Sequence, residues 1–217
     1  MKPWSFSALK TFETCPRKYH AEKVEKTVPY QETVHTRYGT EVHTACEEYI
    51  RDGKPLPEGM ERFQDTLDAL VRIEGEKLCE LEMALKRDRT PTTFKADDVW
   101  TRGIADLIIL NEHKAFVVDY KTGSARFPDK DQLELMALMV FAHYPEVQSV
   151  KAALVFLVHN VVVKDEYTRD QEADLWDKWE KKAATLEAAF EADHWAPKPN
   201  GLCRKWCGVT HCEYQGD

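Results

Sequence analysis

The sequence predicts an α/β fold, a central mixed sheet with helices on its faces, read as one domain over residues 1–217. Three observations predict it. Residues 99–110 and 114–121 are two runs rich in β-formers on either side of the polar Asn111, Glu112 and His113, the pattern of a hairpin. Residues 151–158 form a nearly continuous apolar run of strand length, as a strand buried on both faces requires. Residues 60–77, 129–143 and 170–190 carry apolar side chains at helical spacing. With 217 residues, 43% of them hydrophobic and 31% charged, the chain can bury a sizeable core. No apolar run approaches the roughly 20 residues of a membrane span, and the start of the chain lacks a secretory apolar segment. The expectation is a soluble, cytoplasmic protein with no membrane partner.

The elements follow in order. Ser5 can cap a helix through Leu9 and Phe12 that stops before Pro16. Gly39 reads as the start of a second helix through Ala45, Cys46, Tyr49 and Ile50, with His43 one turn inside it. Residues 51–59, with Pro55 and Pro57, read as a loop, and the helix predicted over 60–77 carries Phe63, Leu67, Leu70 and Val71. Alternation over 80–85 predicts the first core strand, with Glu80 and Glu82 on one face. The stripe Trp176, Trp179, Ala183, Leu186 and Phe190 on the last helix reads as core, not as a nucleobase platform.

The hairpin carries the chemistry. Strand period places Asp119 and Lys121 on one face, and an antiparallel neighbour can bring Asp106 beside them. An isolated Asp-x-Lys is most simply a solvated ion pair. Two carboxylates and an ammonium at the end of an apolar hairpin call for a cation instead, because unpaired buried charge is costly. Hard carboxylate oxygens suit Mg²⁺ or Mn²⁺, which would polarise a phosphate and acidify a bound water while the lysine orients that water or stabilises negative charge.

The flanking residues resemble a known family. G-I-A-D-L-I followed by V-V-D-Y-K-T-G is similar to the PD-(D/E)xK nuclease superfamily in its RecB-type exonuclease branch, which includes CRISPR-associated spacer-processing nucleases and many phage proteins. The resemblance implies a restriction-endonuclease-like core over about 38–165. It makes Asp106 and Asp119 metal ligands and Lys121 the catalytic lysine. The opening S-F-S-A-L-K-T-F-E-T-C-P-R-K-Y and the G-T-E-V-H around His43 resemble further motifs of that branch, which makes His43 a metal or phosphate ligand. The resemblance also implies an acidic neighbour of the metal near the first core strand, for which Glu80 is the candidate, a solvated strand face being the other reading. D-Q-L-E-L-M resembles the branch's Q-x-x-x-Y motif, so Gln132 faces the catalytic lysine, although Met136 stands where the tyrosine belongs.

The six cysteines include the tight group Cys203, Cys207 and Cys212, spaced C-x3-C-x4-C, which can wrap an ion or cluster if a fourth ligand is supplied, and Cys15 is the obvious supplier. The resemblance implies a 4Fe-4S cluster stapling the end segments, about 1–30 and 195–217. Zn²⁺ held by the three cysteines with Cys15 or His211, or an empty reduced set, are the alternatives. The net charge of −8 is unusual for a nucleic-acid enzyme, but it is unevenly spread. Residues 165–193 are rich in acid, whereas bases outnumber acids in residues 1–30, and Lys198, Arg204 and Lys205 add to the far end. Arg17, Lys18, Arg102, Arg126 and Lys130 are the candidate DNA contacts. The expected activity is Mg²⁺- or Mn²⁺-dependent hydrolysis of DNA, single-stranded or with free ends, as an exonuclease in phage replication, recombination or repair, with recombination or replication proteins as partners. Two other readings are a catalytically silent DNA-binding or scaffold module and a phosphoesterase acting on small molecules.

Overall fold

The computed structural model describes residues 2–216, which divide into two compact units: Glu32–Trp176, and the chain ends, up to Gln31 and from Asp177 onward.

The central unit is an α/β body around one mixed sheet of six strands: β1 (Glu76–Leu85), β2 (Pro91–Thr92), β3 (Thr101–Asn111), β4 (Lys114–Lys121), β5 (Ser149–Phe156) and β6 (Val161–Thr168), in the order β2-β1-β3-β4-β5-β6. β1, β3 and β4 form an antiparallel meander. Asn111 opposite Lys114 closes the predicted hairpin, with Glu112 in the left-handed region at φ 49°. β5 then pairs with β4 in parallel, which requires a crossover. Helix α5 (Asp131–His143) is that crossover, and its side chains from Leu135 to Phe141 are all buried. The Arg169 guanidinium caps its last turn, donating to the carbonyls of Phe141 and Tyr144 at 3.1 and 2.9 Å.

Helices α3 (Val34–Asp52) and α4 (Gln64–Val71) share a core with the sheet, in which Val42, Ala45, Cys46, Phe63 and Leu67 meet Leu107, Ile109, Val118 and Tyr120. α5 reaches the sheet closely at Gly103, where any Cβ would lie 2.6 Å from Met136 Cε.

Several elements differ from expectation. The sheet has six strands where four were predicted. β6 reads V-V-V-K-D-E-Y-T and is an exposed edge strand, so its polar face hid it. β1 starts at Glu76, and the helix expected to run to residue 77 is a 3-10 turn (Glu61–Phe63) followed by the short α4. The helix predicted from Gly39 begins at Val34 behind a capping box on Thr33 and Thr36. His43 is therefore in the third turn, and Gly39 is inside the helix, where a Cβ would sit 3.4 Å from Thr122 Oγ1.

In the terminal unit, α1 (Phe6–Thr14) is capped by Ser5, whose side chain accepts from Ala8 N, and α2 (Pro16–Tyr19) runs into a π-helical turn (His20–Val24). The last helix, α6 (Glu172–Glu191), carries the predicted stripe, with Trp176, Trp179, Ala183 and Leu186 fully buried. Within this unit Trp179 stacks on Trp4 at 6.1 Å, and Trp195 packs edge-on to Phe190 at 4.8 Å. Trp179, and Trp176 at the end of the central unit, are core, as their spacing indicated, whereas Phe190 is half-buried. No described helix is long and apolar enough to cross a membrane.

Gly75 sets the start of β1, with φ 132° and a Cβ position only 2.2 Å from the Leu110 carbonyl oxygen. Gly75→Ala should lower the unfolding free energy by at least ~2 kcal/mol in urea titrations, since both the backbone strain and the clash involve main chain. An unchanged urea midpoint would show that Gly75 does not set the start of β1.

Candidate metal centre

The register brings three carboxylates into one row. β1 and β3 pair Cys79 with Leu107 and Leu81 with Ala105, so Glu80 stands opposite Asp106. β3 and β4 pair Leu107 with Val118, so the next step sets Asp106 opposite Asp119. The ladder gives way along this row. Glu80 takes φ 48°, in the left-handed region that side chains other than glycine avoid at a cost of about 1–2 kcal/mol. The β3–β4 pairing stops at Leu107, and the Tyr120 N–H donates to Asp106 Oδ2 at 2.7 Å. A carboxylate thus replaces a backbone acceptor, which opens the strands where the acids converge.

Two helices complete the site. From α3, His43 Nδ1 lies 3.3 Å from Asp106 Oδ1. His43, Glu80 and Asp106 each offer one ligand atom within 4.8 Å of the others. From the first turn of α5, Gln132 bridges the remaining pair: its Nε2 donates to Asp119 Oδ1 at 2.5 Å, and its Oε1 accepts from Lys121 Nζ at 2.9 Å. Lys121 Nζ is also 2.6 Å from Asp119 Oδ2, an ion pair without a well-directed hydrogen bond, so this oxygen keeps lone-pair capacity. Asp119 is the most enclosed member of the set, 7% exposed.

The electrostatics follow from crowding. Burial, and then the charge of Asp106, pushes the Asp119 carboxyl up to about 6 against the opposing pull of Lys121 and His43. Burial and Asp106 raise Glu80 as well. For His43 burial disfavours the charged ring, but its hydrogen bond to Asp106 and the neighbouring carboxylates outweigh burial and hold its pKa above the ordinary value. All three shifts have the same origin, carboxylates held close together beside one imidazole. His43, Glu80 and Asp106, two carboxylates and one imidazole, lie close enough to share a hard divalent ion, and Asp119 follows Asp106 in the row.

The site residues read from the sequence thus meet in one place: His43, Glu80, Asp106, Asp119, Lys121 and Gln132. Glu82, on the same strand as Glu80, is exposed. Met136 is buried against Gly103, so the position that differs from the resembled motif is a packing position. Of the basic candidates, Arg17 pairs with Glu213 at 2.6 Å, Lys18 with Glu22 at 3.7 Å and Lys130 with Asp165 at 3.2 Å. Arg102 lies over the Phe94 ring, whereas Arg126 lies over Phe127 and makes no ion pair among the described residues. Cys15, Cys203, Cys207 and Cys212, all in the terminal unit, line a single cavity with Lys198 and Asn200. Backbone N–H groups of Lys198 and Asn200 donate to Cys15 Sγ and Cys203 Sγ, both at 3.4 Å. His211 is exposed and does not line that cavity. Sequence reasoning missed the Tyr120 N–H and the left-handed turn of Glu80, because a main-chain donor and a backbone dihedral leave no side-chain pattern.

Residues 3–216 match the family described as the PD-(D/E)XK nuclease superfamily. Among solved structures, the protein SSO0001 superposes with a TM-score of 0.53 at 14% identity, covering 99% of this chain and 88% of that one. A Eubacterium rectale protein provisionally described as an exonuclease superposes at 0.52 with 12% identity, covering 94% and 86%. A search of curated protein sequences finds no match.

Asp119 gives a pH signature. Its carboxyl is near 3.8 ordinarily and about 6 in the fold, so between those values the folded chain holds a proton that the unfolded chain has lost. Its contribution to stability is complete below the lower value and disappears as pH rises through the upper one. In EDTA, Asp119→Asn should therefore gain on the wild type by on the order of 2 kcal/mol between pH 4 and 7, measured by chemical denaturation. A wild-type-minus-variant difference that stays constant across this window would overturn the assignment.

Proposed function

The chain belongs to the PD-(D/E)XK nuclease superfamily, and from that premise we propose that it is a metal-dependent deoxyribonuclease of the RecB-type branch. It acts as an exonuclease on single-stranded or free-ended DNA in phage replication, recombination or repair. The observation that carries this reading is the row Glu80, Asp106, Asp119 with Lys121 and Gln132 at its end. The provisional description of the Eubacterium rectale protein supports the exonuclease reading by analogy alone.

Mg²⁺ or Mn²⁺, held by Asp106 and Asp119 with Glu80 and His43, would polarise the phosphodiester and acidify a bound water. The protein's own groups do the rest. Lys121 has three N–H donors; Gln132 engages one and Asp119 pairs with the ammonium by charge, which leaves donor capacity for the attacking water or a phosphate oxygen. Gln132 holds that ammonium in place through a fixed amide: its N–H side faces a carboxylate and its oxygen faces a cation. His43 orients Asp106, and Tyr120 N–H fixes the other oxygen of the same carboxylate. With most basic candidates paired to acids, binding to DNA rests on few phosphate contacts, so it is weak and its salt dependence is shallow.

At the chain ends, the shared cavity of Cys15, Cys203, Cys207 and Cys212 supports a 4Fe-4S cluster that ties the two termini, with zinc on the same four thiols as the alternative. The N–H donors to two of the sulfurs suit thiolate ligands of either kind.

Two experiments test these assignments. Lys121→Ala should lose about 10²–10³-fold in cleavage rate while keeping its fold and Mn²⁺ affinity, and Asp119→Ala should lose Mn²⁺ binding and cleavage together. Wild-type-like cleavage by the lysine variant, or a wild type that cleaves neither single- nor double-stranded DNA with either ion, would sink the mechanism. Protein purified without oxygen should be brown and contain iron and sulfide, and Cys207→Ala should lose both colour and thermal stability. Colourless protein with one zinc selects the alternative, and protein with neither metal removes the site.

A further inference from the structure

The loop between β4 and α5 holds an apolar side chain that packing does not explain. Phe127 is 83% exposed, although burying such a ring is ordinarily worth roughly 1.5–3 kcal/mol. A single exposed aromatic is unremarkable by itself. Three features set this one apart. The first is its tether: Phe127 follows Lys121 by six residues and precedes Gln132 by five, and these two residues are hydrogen-bonded at 2.9 Å. At ~3.5 Å per residue, its Cα is confined to about 18 Å from Gln132, a few nucleotide steps at ~3.4 Å each. The second is the Arg126 guanidinium, 5.2 Å from the ring centroid and in no ion pair among the described residues, a cation placed to meet a phosphate beside whatever covers the ring. The third is Pro128, which disfavours helical backbone at Phe127 and so narrows where the ring can point. Tyr30 and Trp206, also strongly exposed, belong to the terminal unit and have no such tether to the site.

We infer that Phe127 is a stacking platform for a nucleobase of an unpaired strand close to the scissile phosphate, with Arg126 holding the adjacent phosphate. An aromatic face beside an arginine accepts any base, which suits an enzyme without sequence preference. A base inside a duplex has both faces covered by its neighbours, so the platform favours single strands and frayed ends over blunt ones. The inference rests on the nuclease reading for its substrate, but not for its test.

Binding is measured by fluorescence anisotropy on a labelled single-stranded DNA oligonucleotide with Ca²⁺ in place of Mg²⁺, alongside cleavage with Mg²⁺. Phe127→Ala should bind roughly ten-fold more weakly and Phe127→Trp at least as tightly as wild type, while Phe127→Leu, which keeps apolar area without a π face, should remain near the alanine level. A single abasic position walked along the oligonucleotide should weaken the wild type at one or two sites and leave Phe127→Ala unaffected at those sites. Equal binding by wild type and Phe127→Ala, no abasic position whose effect vanishes in the variant, or a wild type with no affinity for the oligonucleotide would each overturn the inference. A wild type that binds with this Phe127 dependence but never cleaves DNA would instead overturn the nuclease reading and leave the platform standing.

Discussion

Mutual repulsion of Glu80, Asp106 and Asp119 is the constraint on which the rest of this site depends. Two unit charges ~5 Å apart at an effective dielectric near 20 repel by about 3 kcal/mol, and Asp106 stands between two other acids in the row. The chain relieves this with Lys121 against one end, His43 against the middle and carboxyls pushed toward their protonated forms. Each of these devices is one that a divalent ion would make redundant. The raised carboxyl of Asp119 and the raised pKa of His43 are therefore two consequences of the same crowding of carboxylates.

Such a row persists only because it sits on elements that cannot drift apart. Four of the six site residues are on strands in register and two are on helices packed against them. Val118 and Tyr120 alternate with Asp119 along β4 and are locked into the core beneath α3 and α4. α5 is apolar around nearly its whole circumference, as a buried crossover must be, and its only site residue, Gln132, lies in its first turn. The left-handed backbone at Glu80 is local strain that the surrounding ladder over-determines.

The charge distribution separates two tasks that a net charge of −8 blurs. Bases paired with acids, such as Arg17 and Lys130, contribute solubility and local order at small energetic gain. Arg126 stands apart from them, on the loop between Lys121 and its hydrogen-bond partner Gln132.

The hairpin, the strand after α5 and the aromatic stripe of α6 were legible because period and composition report which faces are buried, and burial is what those patterns encode. The pair Asp119 and Lys121 followed from strand period alone, whereas His43, Glu80 and Gln132 rested on resemblance, since a lone histidine, glutamate or glutamine carries no periodic signal. β6 escaped because an edge strand with one solvated face has too little apolar alternation, and the start of α3 escaped because its first turns, Val34 to Glu41, are exposed or nearly so. Only the tertiary structure decided that Glu80, 26 positions before Asp106, stands opposite it, and that Tyr120 N–H turns from the ladder to a carboxylate. Register is a property of two strands at once, and no pattern within either strand contains it.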